Sequence, residues 1–195
     1  DLVNGRETEL PQSHSVLLGN IVAKDPQCAG NKSVIHFGAE GDGRHDGTLF
    51  LVHNTIVTPY ISPVIELSAP AAKAMLYGNL ISGSDRRQYN QVLVLASNSA
   101  NVVRLVATDN WIAETFADSI VGSESRLQGN VFESSTGLFK DPKSHDYRLT
   151  RPLPKSRTNS SIGVPFAIPK KPGVDDPSGA VLSWNYRHPA SKQRA

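Results

Sequence analysis

Cysteine is almost absent from this 195-residue chain: Cys28 stands alone, so no internal disulfide can form and a disulfide-stapled miniprotein is excluded. Charged residues, at 19%, and hydrophobic residues, at 38%, both fall a little below the share usual in a globular domain, and only 7% are aromatic. Enough apolar material remains for a core. No apolar run approaches the ~20 residues of a membrane-spanning helix. Residue 1 is Asp, with no initiator Met, basic n-region or apolar h-region behind it, so the expectation is a removed targeting segment or a partial chain. Sustained helical periodicity flanked by caps is also missing from the first 150 residues. The net charge of +2 conceals a split: residues 1–150 carry 12 basic and 16 acidic side chains, residues 151–195 carry 8 and 2.

What is present is a repeat. A short apolar run ends in Asn and resumes with an apolar residue five times, at Asn20, Asn54, Asn79, Asn110 and Asn130, separated by 34, 25, 31 and 20 residues. Further short runs lie between them, at Val34–Phe37, Val64–Leu67 and Val92–Leu95. Each is rich in Val, Ile and Leu and bounded by Gly, Asn, Ser, Pro or Asp, which reads as strand. Unequal spacing with a recurring Asn fits a solenoid whose turns vary in length while its strands stay stacked. The predicted fold is therefore all-β, a parallel β-helix over residues 1–150, with a mostly irregular C-terminal extension. In such a coil an Asn at a tight bend can take the left-handed conformation while its amide bonds the neighbouring coil, forming a ladder. A β-sandwich is the alternative, but it gives no reason for a repeated Asn.

The runs Gly19-Asn20-Ile21-Val22, His53-Asn54-Thr55-Ile56-Val57 and Gly78-Asn79-Leu80-Ile81 resemble those of the pectate-lyase-like superfamily of right-handed parallel β-helices. The stretch Gly137–Pro142, followed by Asp146–Thr150, is similar to the ending of many bacterial members. Glu9-Leu10-Pro11, the Phe37–Gly41 loop and Tyr186–Ala190 resemble the C-terminal half of an uncharacterised bacterial subgroup. This resemblance implies further coils before Asp1, a secreted or periplasmic location and activity on polysaccharides. Fold membership alone does not settle function.

The repeat stops near Thr150, and seven of the 13 prolines fall within residues 151–195. Pro offers no amide donor to a ladder, so this tail is expected to be extended and packed along the stack, with only Val181–Trp184 strand-like. Its basic excess would hold it against the acidic body. No zinc spacing, RNA-binding aromatic motif or helix-turn-helix pattern points to nucleic acid.

Register yields one constellation with chemistry. If Thr8 and Leu10, Ile35 and Phe37, Ile65 and Leu67, and Leu93 and Leu95 face inward, then Glu9, His36, Glu66 and Val94 form one outward column, at spacings of 27, 30 and 28 residues. Rungs about 4.8 Å apart would stack carboxylate, imidazole and carboxylate. A polysaccharide lyase needs a base for the proton beside the uronate carboxylate and a cation to neutralise that carboxylate; a hydrolase needs two carboxyl groups. His36, Glu66 and Glu9 are the catalytic candidates, with Glu40 in the following Gly-rich loop as a fourth. Arg44, Lys73, Arg86 and Arg87, expected in loops, are candidate substrate contacts. The competing reading is that stacked opposite charges simply stabilise an outer sheet face. Asp42 and Asp46 have the acidic, Gly-rich setting of a calcium loop without EF-hand spacing, which makes Ca²⁺ the one cofactor candidate. His53, before a ladder Asn, reads as a turn residue; His14 and His45 read as solvated turn residues, and Cys28 lacks the paired His of a nucleophile. The leading functional expectation is a carbohydrate-active protein with lyase-like chemistry. The alternative is a non-catalytic structural or carbohydrate-binding β-helix, including the tailspike type.

Overall fold

Pairs of short strands separated by a two-residue corner recur through the described residues. The computed structural model describes residues 14–24, 33–38, 47–58, 63–69, 71–83, 91–96, 104–119 and 124–154. In chain order the strands are β1 (Ser15–Leu18), β2 (Ile21–Ala23), β3 (Ile35–Phe37), β4 (Thr48–Val52), β5 (Thr55–Val57), β6 (Ile65–Leu67), β7 (Lys73–Tyr77) and β8 (Leu80–Ser82). They continue as β9 (Val94–Ala96), β10 (Arg104–Thr108), β11 (Trp111–Ala113), β12 (Glu124–Gln128), β13 (Val131–Glu133), β14 (Phe139–Asp141) and β15 (Asp146–Leu149). Among the described residues the only helices are two 3₁₀ turns, Glu114–Ser119 and Pro142–Ser144.

From β1 to β13, consecutive strands join different sheets. The first sheet has the order β1-β4-β7-β10-β12, the second β2-β5-β8-β11-β13 and the third β3-β6-β9. Every pairing in these three sheets is parallel. The architecture is all-β with stacked parallel sheets, consistent with a β-helix-like fold. In the fourth repeat the 3₁₀ turn Glu114–Ser119 follows β11 where earlier repeats supply a third-sheet strand. Its Phe116 is fully buried, and Ser119 Oγ accepts a hydrogen bond from the Leu93 amide at 3.1 Å.

Register creates the core. In the first sheet the in-line residues Leu17, Leu51, Leu76, Ala107 and Leu127 form one column. Leu51, Leu76 and Ala107 are completely buried, whereas Leu127, on the last rung, is 45% exposed. Ile56, Ile81 and Ile112 form the matching column of the second sheet, each at 0% exposure. β-branched and leucine side chains stacked about 4.8 Å apart make a continuous apolar column, which suits strands of only three to five residues. The middle rungs of the second sheet are buried on the outer face as well: Trp111, Leu80 and Thr55 all fall below 5% exposure, whereas Ile21, in the same column on β2, is 49% exposed. Trp111 Nε1 donates to Glu133 Oε2 at 3.4 Å, and the same oxygen meets Arg151 Nη1 at 3.2 Å.

The antiparallel pair β14–β15 closes the described chain and buries Leu138 and Phe139. Beyond it, Leu153 and Pro154 line a small cavity together with Gly78, Asp109 and Gly129, so the start of the tail runs along the asparagine corner. The strand-like segment Val181–Trp184 and the rest of the tail from residue 155 lie outside the described residues.

Candidate functional site

The corner between the first and second sheets is built by the asparagines. Asn20 N donates to Asn54 Oδ1 (2.9 Å), Asn54 N to Asn79 Oδ1 (2.9 Å), Asn79 N to Asn110 Oδ1 (2.8 Å) and Asn110 N to Asn130 Oδ1 (3.0 Å). Each Oδ1 also accepts from the preceding Nδ2, at 3.2, 3.0, 2.9 and 2.8 Å. The Nδ2 groups of Asn54, Asn79, Asn110 and Asn130 donate in addition to the Leu17, Leu51, Leu76 and Ala107 carbonyls, at 2.7–3.0 Å. Asn54, Asn79 and Asn110 are 0–2% exposed, so these bonds satisfy polar groups that water cannot reach.

The left-handed residue of each corner is not the Asn but the one before it. Gly19, His53, Gly78, Asp109 and Gly129 have φ of 69°, 52°, 59°, 55° and 65°. The corner needs one positive-φ step to turn the chain, and spending it one residue early leaves the Asn side chain aimed along the stack. His53 packs on Gly78, where a Cβ would lie 2.6 Å from its Nδ1. Burial lowers the His53 pKa from 6.5, partly offset by a hydrogen bond to the Gly78 backbone.

The third sheet carries the outward column that bears chemistry. His36 and Glu66 are register partners on β3 and β6, each half-buried between completely buried or nearly buried neighbours. His36 Nε2 hydrogen-bonds Ser68 Oγ, fixing the ring over the strand end. On the next rung the outward residue is Leu95, which pairs with Glu66 and is 42% exposed; Val94 pairs with Ile65 and is 5% exposed. The expected Val94 position is thus one residue out. Leu93 lies at the bend before β9, equivalent to Val34 and Val64, and all three are buried. The run Val92-Leu93-Val94-Leu95 has no polar residue to mark which side faces water.

Lys73 does not sit in a loop: it opens β7, is exposed, and belongs to the first sheet rather than the sheet holding His36 and Glu66. Glu9, Glu40, Arg44, Arg86 and Arg87 lie outside the described residues, as do Cys28, Asp42, His45 and Asp46. His14 is not merely solvated, since its Nδ1 accepts from the Thr48 amide at 3.1 Å and its ring meets Phe50 edge-on at 5.9 Å. Among the described residues no three His, Cys, Asp or Glu side chains cluster as metal ligands, and no helix is long and apolar enough to cross a membrane.

One group of residues escaped sequence reasoning. A groove of about 430 Å³ opens on the outer face of the first sheet, lined by Lys73, Met75, Arg104, Val106, Glu124 and Arg126. Arg104 Nε meets Glu124 Oε2 at 2.8 Å. The alternation of polar and apolar residues along β10 and β12 is the signal the sequence offers for it. Compared with known family models, curated proteins and solved structures, the chain matches none.

Proposed function

We propose that the protein is a right-handed parallel β-helix of the pectate-lyase-like type that acts on an acidic polysaccharide. The observation that carries this reading is the in-register His36–Glu66 pair on the outer face of the third sheet. A stacked sheet face offers a linear polymer a straight track, with side chains repeating about every 4.8 Å. His36, oriented by Ser68, would serve as base for the proton beside the uronate carboxylate. Electrons of that C–H bond form the new carbon–carbon double bond, the β carbon–oxygen bond breaks, and the departing sugar oxygen takes up a proton from water. Glu66, one rung away, would place a carboxylate beside the ring that takes the proton.

The His36–Ser68 hydrogen bond favours a second reading, a non-catalytic carbohydrate-binding or structural face, because it ties the ring into its own sheet. The stacked pair then contributes a few tenths to about 1 kcal/mol of sheet stability. The test is a panel of pectin, alginate, glycosaminoglycans and neutral glycans, followed by unsaturated-uronate absorbance and by reducing ends. Cleavage that survives His36→Ala unchanged would remove the base assigned here. Glycan retention with no cleavage would favour the second reading.

A further inference from the structure

The groove on the first sheet holds an arrangement that folding alone does not call for. Lys73 stands one position before the Ala74–Leu105 pair, and Arg104 occupies the equivalent place on the neighbouring strand, so two cations lie side by side on adjacent parallel rungs. Like charges directly opposite one another weaken a sheet. Glu124, in register with Arg104, offsets one of them through its 2.8 Å contact. Arg126 adds a third cation two residues along β12. Among the described residues neither Lys73 nor Arg126 has an ion-pair partner. Between the basic positions run Met75 and Val106, an apolar strip in register with Arg126.

We propose that this face is a second glycan-binding surface, taking a carboxylate- or sulfate-bearing segment of a linear polysaccharide, with Lys73, Arg104 and Arg126 meeting its anionic groups and Met75 and Val106 meeting its ring faces. Charge selects the occupant. Among the described residues the lining sets three cations against one carboxylate, which calls for an anion, and the chain's own tail, with 8 basic and 2 acidic residues, carries the wrong sign. A single-stranded nucleic acid would be expected to find aromatic stacking platforms, and among the described residues the groove lining contains none. The inference rests on the polysaccharide reading but concerns a sheet other than the one bearing His36 and Glu66.

Affinity electrophoresis of the full chain through gels containing polygalacturonate, dextran or a single-stranded oligonucleotide tests it. The double variant Lys73→Ser/Arg126→Ser should bind polygalacturonate roughly tenfold more weakly and lose much of the salt dependence, with neutral dextran retarding neither protein. The charge-matched control Lys140→Ser/Lys143→Ser, on the exposed β14–β15 end, should bind as the wild type does. Matching urea midpoints for the variants and wild type exclude unfolding as the cause. Equal weakening in the control, or tighter retention by the oligonucleotide than by polygalacturonate, would overturn the proposal. If Lys73→Ser/Arg126→Ser binds normally while His36-dependent cleavage persists, this surface falls and the functional reading stands. If wild type is retained by no glycan and cleaves none, both fall.

Discussion

Replacing Asn79 with Ala removes the middle of the ladder and tests how much the corner contributes to stability. The side chain accepts from Asn54 N and Nδ2 at 2.9 and 3.0 Å and donates to Leu51 O and Asn110 Oδ1 at 2.8 and 2.9 Å. Asn110 Oδ1 keeps the Asn79 backbone amide, and Asn54 Nδ2 keeps the Leu17 carbonyl. The Asn54 amide, however, has no other acceptor among the described residues, and Asn54 is 0% exposed. Two buried N–H groups go unmet, the Asn54 backbone N–H and the Asn54 Nδ2–H that met Asn79 Oδ1, which at about 1–3 kcal/mol each puts the loss at roughly 2–6 kcal/mol. That is a large part of the ~5–15 kcal/mol typical of a folded domain. Asn130→Ala is the comparison: it removes the last rung, where the bonds are only part-buried and water can replace the lost partner. Its cost should be about 1–2 kcal/mol. Urea unfolding followed by far-UV circular dichroism, with the slope m unchanged, gives both values. A cost for Asn79→Ala below about 1 kcal/mol, or no larger than that for Asn130→Ala, would refute the argument that the buried ladder is held by these bonds.

Two further outcomes follow from buried polar groups. His53 has its pKa lowered from 6.5 by burial, so the unfolded chain takes up a proton before the folded one. Stability from this group is full above pH 6.5 and falls as pH drops below it toward the folded value. His53→Asn, which suits φ of 52°, should flatten that part of the stability profile, and an unaltered slope would show that another group sets it. Ser125 Oγ is buried with no hydrogen-bond partner among the described residues, at the end of the column Leu49–Ala74–Leu105. Ser125→Ala should raise the urea midpoint by the equivalent of about 1 kcal/mol; a lowered midpoint would mean that the hydroxyl is satisfied.

The repeat was legible because one side-chain type does one job at every corner. Asn is needed where a backbone amide and a carbonyl of the preceding rung must both be met, so it recurs however long the intervening loop becomes. The positive-φ step was harder to read. Gly, His, Gly, Asp and Gly fill it in turn, since the corner requires a conformation rather than a functional group. Alternation marks His36 and Glu66 as outward because each is flanked by apolar residues, whereas in the unbroken apolar run of β9 it points to Val94 and the outward residue is Leu95. Burial on both faces of the middle rungs of the second sheet also leaves no polar alternation, and Trp111 gave no sign of facing outward under cover. The basic groove was missed for another reason: it joins Lys73, Arg104 and Arg126 from three repeats, and only the register brings them together.

The most direct test of the account is the rate of unsaturated-uronate formation on polygalacturonate and alginate by wild type and by His36→Ala, at matched folded concentration. The account predicts steady double-bond absorbance from the wild type on at least one of these polymers, and a loss of roughly 10²–10⁴-fold in the variant, the usual contribution of a positioned base. Equal rates in the two proteins, or no product from the wild type on either polymer, would contradict it.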